Sequence, residues 1–99
     1  MFLLNISINE SEQSPLVEKH FTEHQAWIRR NFKAGHFLLL GPSQTYQRTG
    51  VIIAQAENQQ ALQELLAEDT YYPDLATYKI EAFTPALISP TITDFQAKP

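Results

Sequence analysis

The chain contains no cysteine, which excludes a disulfide scaffold, a thiolate zinc site, an iron–sulfur cluster and a cysteine nucleophile. Glycine is scarce, with three residues, and each reads as a turn or a helix stop, so a glycine-rich phosphate loop is ruled out. Neither a calcium loop nor an acyl-transfer serine motif occurs. Basic residues number 7 against 11 acidic ones, and a net charge of −4 provides no general field for nucleic acid or an anionic membrane. The apolar runs, such as residues 37–40, fall far short of the ~18–20 residues that span a bilayer. Residues 1–8 carry no basic leader and meet Glu10 too soon for a signal peptide. What is present is 99 residues, 43% of them hydrophobic, which suits one core and one domain. These features predict a single soluble, cytoplasmic domain over residues 1–99, with no repeat or linker.

Proline and glycine punctuate the chain at Pro15, Gly35, Gly41-Pro42, Gly50, Pro73, Pro85 and Pro90. Residues 2–8 alternate, with Phe2, Leu4, Ile6 and Ile8 on one face, and read as a strand. A polar loop over 9–14 leads to Ser14-Pro15, an N-cap followed by proline at the first helical position. The helix should run to Ala34, with Gly35 as its left-handed stop. At about 100° per residue, Val17, Phe21, His24, Ile28 and Phe32 form one stripe, expected to face the core. Leu16, His20 and Trp27 flank it, and Glu18, Lys19, Thr22, Arg29 and Lys33 lie opposite. Further strands are expected at 36–40, 51–56 and 78–83. A second helix, capped by Asn58, should run to about residue 68 on a stripe of Ala61, Leu62, Leu65 and Leu66. The order β-α-β-β-α-β predicts an α+β, ferredoxin-like fold: an antiparallel sheet with both helices on one face. Residues 37–40 and 51–53 are continuously apolar, not alternating, so the other face of the sheet also needs cover. A second copy of the chain can provide it. A homodimer is therefore expected, with residues 86–95 as an arm reaching across.

Several side chains carry possible chemistry. His24, on an apolar stripe, is either a core histidine satisfied by backbone or a group that moves protons near neutral pH. His20-Phe21-Thr22-Glu23-His24 fits the H-x-x-E-H motif of inverted zinc proteases, and His20 and His24 share a helix face. Glu23, however, points about 100° away from His24, and no third ligand is evident beyond His36 at the start of a strand. No metal and no cofactor are expected. Trp27, Tyr71 and Tyr72 either line an apolar pocket with polar tips or simply pack. Arg48 could hold a substrate carboxylate in a forked contact, with Ser43 in the same loop. Arg29, Arg30 and Lys33 suit the negative end of a helix dipole.

The spacing of His24 to Gly35, followed by the strand 37–40 ending in Gly41-Pro42, resembles the YCII-related family of dimeric α+β barrel proteins. A Gly50-led strand, a helix, Asp69-Thr70-Tyr71 and then Tyr78-Lys79-Ile80-Glu81-Ala82-Phe83 continue the likeness, which covers roughly residues 2–85 and leaves 86–99 as an arm. The resemblance implies a homodimer whose sheets pack face to face. It also implies a site built from a histidine on the first helix, matched by His24, and an aspartate after the second, matched by Asp69. Three positions depart from the family pattern: Thr70 stands for a proline, Leu75 for a glycine, and Phe21 for an arginine upstream of the histidine. Relatives in the superfamily include muconolactone isomerases, a dehydrochlorinase and small monooxygenases. A carboxylate at a helix C-terminus is disfavoured by the dipole and calls for a compensating partner, a part His24 can take. The expectation is a cofactor-free enzyme of isomerase or lyase type acting on a small organic molecule. His24 would be the general acid/base, Asp69 its orienter, and Tyr71, Ser43 and Arg48 the substrate contacts. The alternative is a non-catalytic small-molecule-binding or interaction domain of the same fold.

Overall fold

A computed structural model describes residues 1–9 and 15–98, with the side chains of the first helix from His20 onward. The elements are β1 (Phe2–Ile8), α1 (Pro15–Lys33), β2 (Phe37–Pro42), β3 (Thr49–Ala54), α2 (Gln59–Leu66) and β4 (Ala76–Ala82), followed by a short 3₁₀ turn at Ile92–Phe95. The strands form one antiparallel sheet in the order β2-β3-β1-β4. This is the α+β, ferredoxin-like arrangement. The Ser14 cap and the places of Leu16 and Val17 on the helix fall outside the described residues. Among the described residues no helix is long and apolar enough to cross a membrane.

Local chemistry sets the element ends. Gly35 takes φ 84° and stops α1, a backbone conformation that costs glycine little. Asn58 Oδ1 accepts the Ala61 N–H at 2.8 Å, capping α2, which ends at Leu66, two residues short of the expected limit. Strands β2 and β3 both lie nearer their connecting loop than expected. The Ser43 N–H donates to the Thr49 carbonyl at 2.8 Å and carries the ladder past Gly41-Pro42. β4 likewise begins at Ala76, two residues early.

The inward side of the sheet joins Phe2, Leu4 and Ile6 to Ile52 and Ala54, and meets Trp27, Leu62 and Leu66 from the helices. Trp27 is fully buried, edge-on to Phe37 at 5.2 Å, and its Nε1–H donates to the Leu65 carbonyl at 3.2 Å. That bond ties α1 to α2. The expected core stripe of α1 needs correction. His24 is buried and Ile28 half-buried, but Phe21 and Phe32 are 46% and 54% exposed. The buried line runs through His24, Trp27 and Asn31, rotated by about 60° from the apolar stripe. The indole is the largest apolar group on the helix and takes the core. Asn31 tolerates burial because its Nδ2 donates to the Trp27 carbonyl at 2.9 Å and its Oδ1 meets His36 Nδ1 at 3.0 Å.

The opposite side of the sheet is apolar over only part of its width. Leu39, Ile53, Val51 and Leu3 share that side by register, but Lys79 and Glu81 on β4 continue it with charge. A register irregularity between Phe37 and Leu39 explains why residues 37–40 do not alternate: Phe37 faces the core, Leu39 the open side.

Candidate active site

His24 projects from the third turn of α1, and Asp69 sits in the turn between α2 and β4. His24 Nδ1 lies 2.7 Å from Asp69 Oδ1, with the two residues 8% and 3% exposed. An ionised carboxylate only accepts hydrogen bonds, so Nδ1 carries the proton and Nε2 is the nitrogen left to exchange one. The other carboxylate oxygen, Oδ2, accepts the Tyr78 hydroxyl at 2.6 Å, while the Tyr71 N–H stands 3.5 Å from Oδ1, at the limit of a bond. Both oxygens are thus held, and the carboxylate plane is fixed. The His24 ring packs against Trp27, stacked at 5.8 Å, and against Tyr71, tilted at 4.7 Å.

The turn that presents Asp69 is itself pinned. Its N–H donates to the Leu66 carbonyl at 3.0 Å and its carbonyl accepts from the Tyr72 N–H at 3.0 Å. Next to it, the Thr70 hydroxyl donates to Glu23 at 3.1 Å and lies 3.0 Å from His20 Nδ1, which is also 3.2 Å from Glu23. The H-x-x-E-H residues are therefore divided between two tasks: His20 and Glu23 clamp Thr70, and His24 holds Asp69. Among the described residues no three His, Asp or Glu side chains gather as metal ligands.

His24 also forms part of the wall of an open cleft of about 470 Å³ between α1 and the sheet. Phe21 and Ile28 of α1 face Ile6, Ile52 and Leu40 across it. Of the apolar stripe, Phe21 and Ile28 line this cleft while Phe32 lies outside it, and His24 stands at the border of cleft and core. Arg48 joins the lining from the β2–β3 loop. It takes a left-handed backbone, φ 55°, a conformation that costs a side-chain-bearing residue of order 1–3 kcal/mol. Its carbonyl accepts the Ile8 N–H at 2.9 Å, anchoring the loop to β1.

Two phenols feel this surrounding. Tyr78 is pushed far above the ordinary phenol range, first by burial, then by the hydrogen bond to Asp69 and that carboxylate's charge. Tyr71 is also raised, by burial and then by the Asp69 charge, with the Arg48 charge opposing. Both stay protonated near neutral pH.

Of the residues singled out in the sequence, His24 and Asp69 come together, and Arg48 lines the cleft with His24. Tyr71 is fully buried against the His24 ring and is not part of the cleft wall. Ser43 is elsewhere: its hydroxyl accepts the N–H groups of Thr45 and Tyr46 at 3.1 and 3.0 Å and shapes the loop that carries Arg48. Tyr78 was not foreseen. The signal was an inward strand position, since Tyr78 pairs with Ile6, and a phenol facing a core needs a partner for its hydroxyl.

No protein-family model matches the chain, and no curated protein matches it. Its fold is similar to that of 5-chloro-2-hydroxyhydroquinone dehydrochlorinase from Burkholderia phenoliruptrix AC1100, solved in complex with 2,5-dihydroxybenzoquinone. The TM-score is 0.64, at 15% identity, over 85% of this chain and 94% of that one. At that identity the likeness concerns the fold.

Proposed function

We propose that this protein is a cofactor-free enzyme that transfers a proton on a small organic molecule bound in the α1–sheet cleft. His24 acts as general acid/base, and Asp69 is its positioning partner. The observation that carries the reading is one side chain in two places: His24 is bonded to a buried carboxylate and also lines an open cleft. A cleft of about 470 Å³ is of the size that takes a small ring compound. The dehydrochlorinase of like fold acts, by its name, on such a compound.

In this reading Nε2 removes a proton from carbon next to an electron-withdrawing group, and the imidazolium that forms is stabilised by the Asp69 charge. Tyr78 keeps the carboxylate from turning away. In an isomerisation Nε2–H returns the proton to a different atom. In an elimination the electron pair of the broken C–H bond forms a double bond and the leaving group departs with its own pair. The resemblance of His24, Asp69 and their flanking residues to the YCII-related pattern supports the same assignment. The apolar part of the open sheet side supports a homodimer as the working form.

The test begins with a thermal-shift screen of small cyclic acids, ketones and lactones, because a ligand of the folded state raises stability with its concentration. With a substrate in hand, His24→Ala should abolish turnover. Asp69→Asn should slow it by about 10²- to 10⁴-fold with binding largely kept. The double variant should be little worse than His24→Ala, because the pair works as one device. An active His24→Ala protein ends the proposal.

A further inference from the structure

Among the described residues, the charged ones that line the cleft are basic. The chain carries a net charge of −4, yet Arg29 and Arg48 line the cleft beside His24, and no described acidic side chain does. Gln25 and Thr49 are the other polar residues in its lining, and the remainder is chiefly apolar. This lining suits a ligand with an apolar body for Phe21, Ile28 and Leu40 and a negative group for a guanidinium.

We propose that the cleft selects a small organic anion, a carboxylate or phenolate on an apolar ring, whose charged oxygen is held by Arg48 with Arg29 at the rim. This rests on the reading of the cleft as the substrate site and names the substrate class for it. Three features favour Arg48 as the main contact. It is half-buried while Arg29 is exposed, so its charge acts in a less water-screened place. A planar guanidinium makes two parallel bonds to a carboxylate. And it lines the same cleft as His24, so that one bound molecule can meet both. An anion held there has its ring carbons over the apolar wall next to His24. The cation would also draw electron density toward the bound oxygen as His24 removes a proton, stabilising an enolate-like charge.

The experiment compares matched probes by NMR titration of the isotopically labelled protein. Benzoate is set against benzamide, and 4-nitrophenolate against 4-nitroanisole. Each anion should bind at least about tenfold more tightly than its neutral partner, the scale of a hydrogen bond to a charged group. Which anion binds better separates the carboxylate from the phenolate source. Arg48→Gln should erase the preference and leave the neutral probes unchanged, while Arg48→Lys should retain part of it. Should Arg48→Gln fail to fold at its left-handed position, Arg48→Asn replaces it, since asparagine accepts that backbone readily.

Equal binding of anions and neutral partners overturns the proposal, as does an anion preference that survives loss of Arg48. So does the absence of any anion binding at millimolar concentration. The two readings fail separately. A preference kept in His24→Ala, with no turnover found for wild type, would remove the acid–base role and leave the anion site standing.

Discussion

A buried carboxylate is tolerated only while its oxygens are occupied, and Tyr78 occupies Asp69 Oδ2. Tyr78→Phe removes that donor and keeps the ring. The expected cost is about 1–3 kcal/mol, seen as a lower urea midpoint with an unchanged slope. Turnover should also fall, because the carboxylate is then free to turn away from His24. The same phenol sets an alkaline limit. Its folded-state value, like that of Tyr71, lies above the ordinary 10.0, so the folded protein favours the protonated form. That stabilisation is complete below pH 10 and is lost as pH rises above it, where the unfolded chain ionises first. Wild type should therefore lose stability above about pH 10 more steeply than Tyr78→Phe, measured by urea titration at stepped pH. His24 and Asp69 were legible because each sits badly by local rules: a titratable ring on an apolar stripe, and a carboxylate past a helix C-terminus. Tyr78 obeys its local rules. It is an aromatic in a strand, and its nine-residue separation from Asp69 spans a turn that no periodicity crosses. Ser43 misled for a related reason, since a loop hydroxyl near a cleft can equally well close its own turn.

On α1, two apolar faces do different work, and substitutions should separate them. Trp27→Ala opens the core and breaks the bond to Leu65, at an expected cost of about 3–5 kcal/mol by chemical denaturation. Phe32→Ala, at a 54% exposed position outside the cleft lining, should stay within about 0.5 kcal/mol of wild type. If Phe32→Ala were the costlier change, the helix would be rotated to the orientation the apolar stripe suggested. The element order, the Asn58 cap and the Gly35 stop were readable because each depends on a few neighbouring residues. The rotation of α1 was not. Hydrophobic period reports which residues avoid water, and both a core and a ligand cleft satisfy it. Packing the indole decided between them. The run 37–40 failed in a second way: period-two reasoning assumes regular pairing, and the irregularity between Phe37 and Leu39 breaks that assumption inside the run.

Across the whole molecule, the sheet presents its helix-free side to solvent with Leu3, Val51, Ile53 and Leu39 on one part of it and Lys79 and Glu81 on the other. An antiparallel sheet facing water on one side is polar there, which the β4 part satisfies and the β2–β3 part does not. Residues 86–98 add to the imbalance, with Leu87 96% and Phe95 84% exposed. We expect both features to be covered by a second copy. Leu39 and Ile52 lie on neighbouring strands but on opposite sides of the sheet, so the same substitution at each discriminates between interface and core. Ile52 is buried among the inward residues, and Ile52→Asp should unfold the protein, as an unpaired carboxylate in a core costs several kcal/mol. Leu39 is 45% exposed in the single chain, and Leu39→Asp should leave circular dichroism unchanged while light scattering reports a monomer. Truncation after Pro85 should weaken the dimer without unfolding it, because the removed segment contributes nothing to the described core. Wild-type protein that scatters as a monomer at micromolar concentration would falsify the dimer. Retention of the dimer in Leu39→Asp would instead move the interface off the β2–β3 part of the sheet.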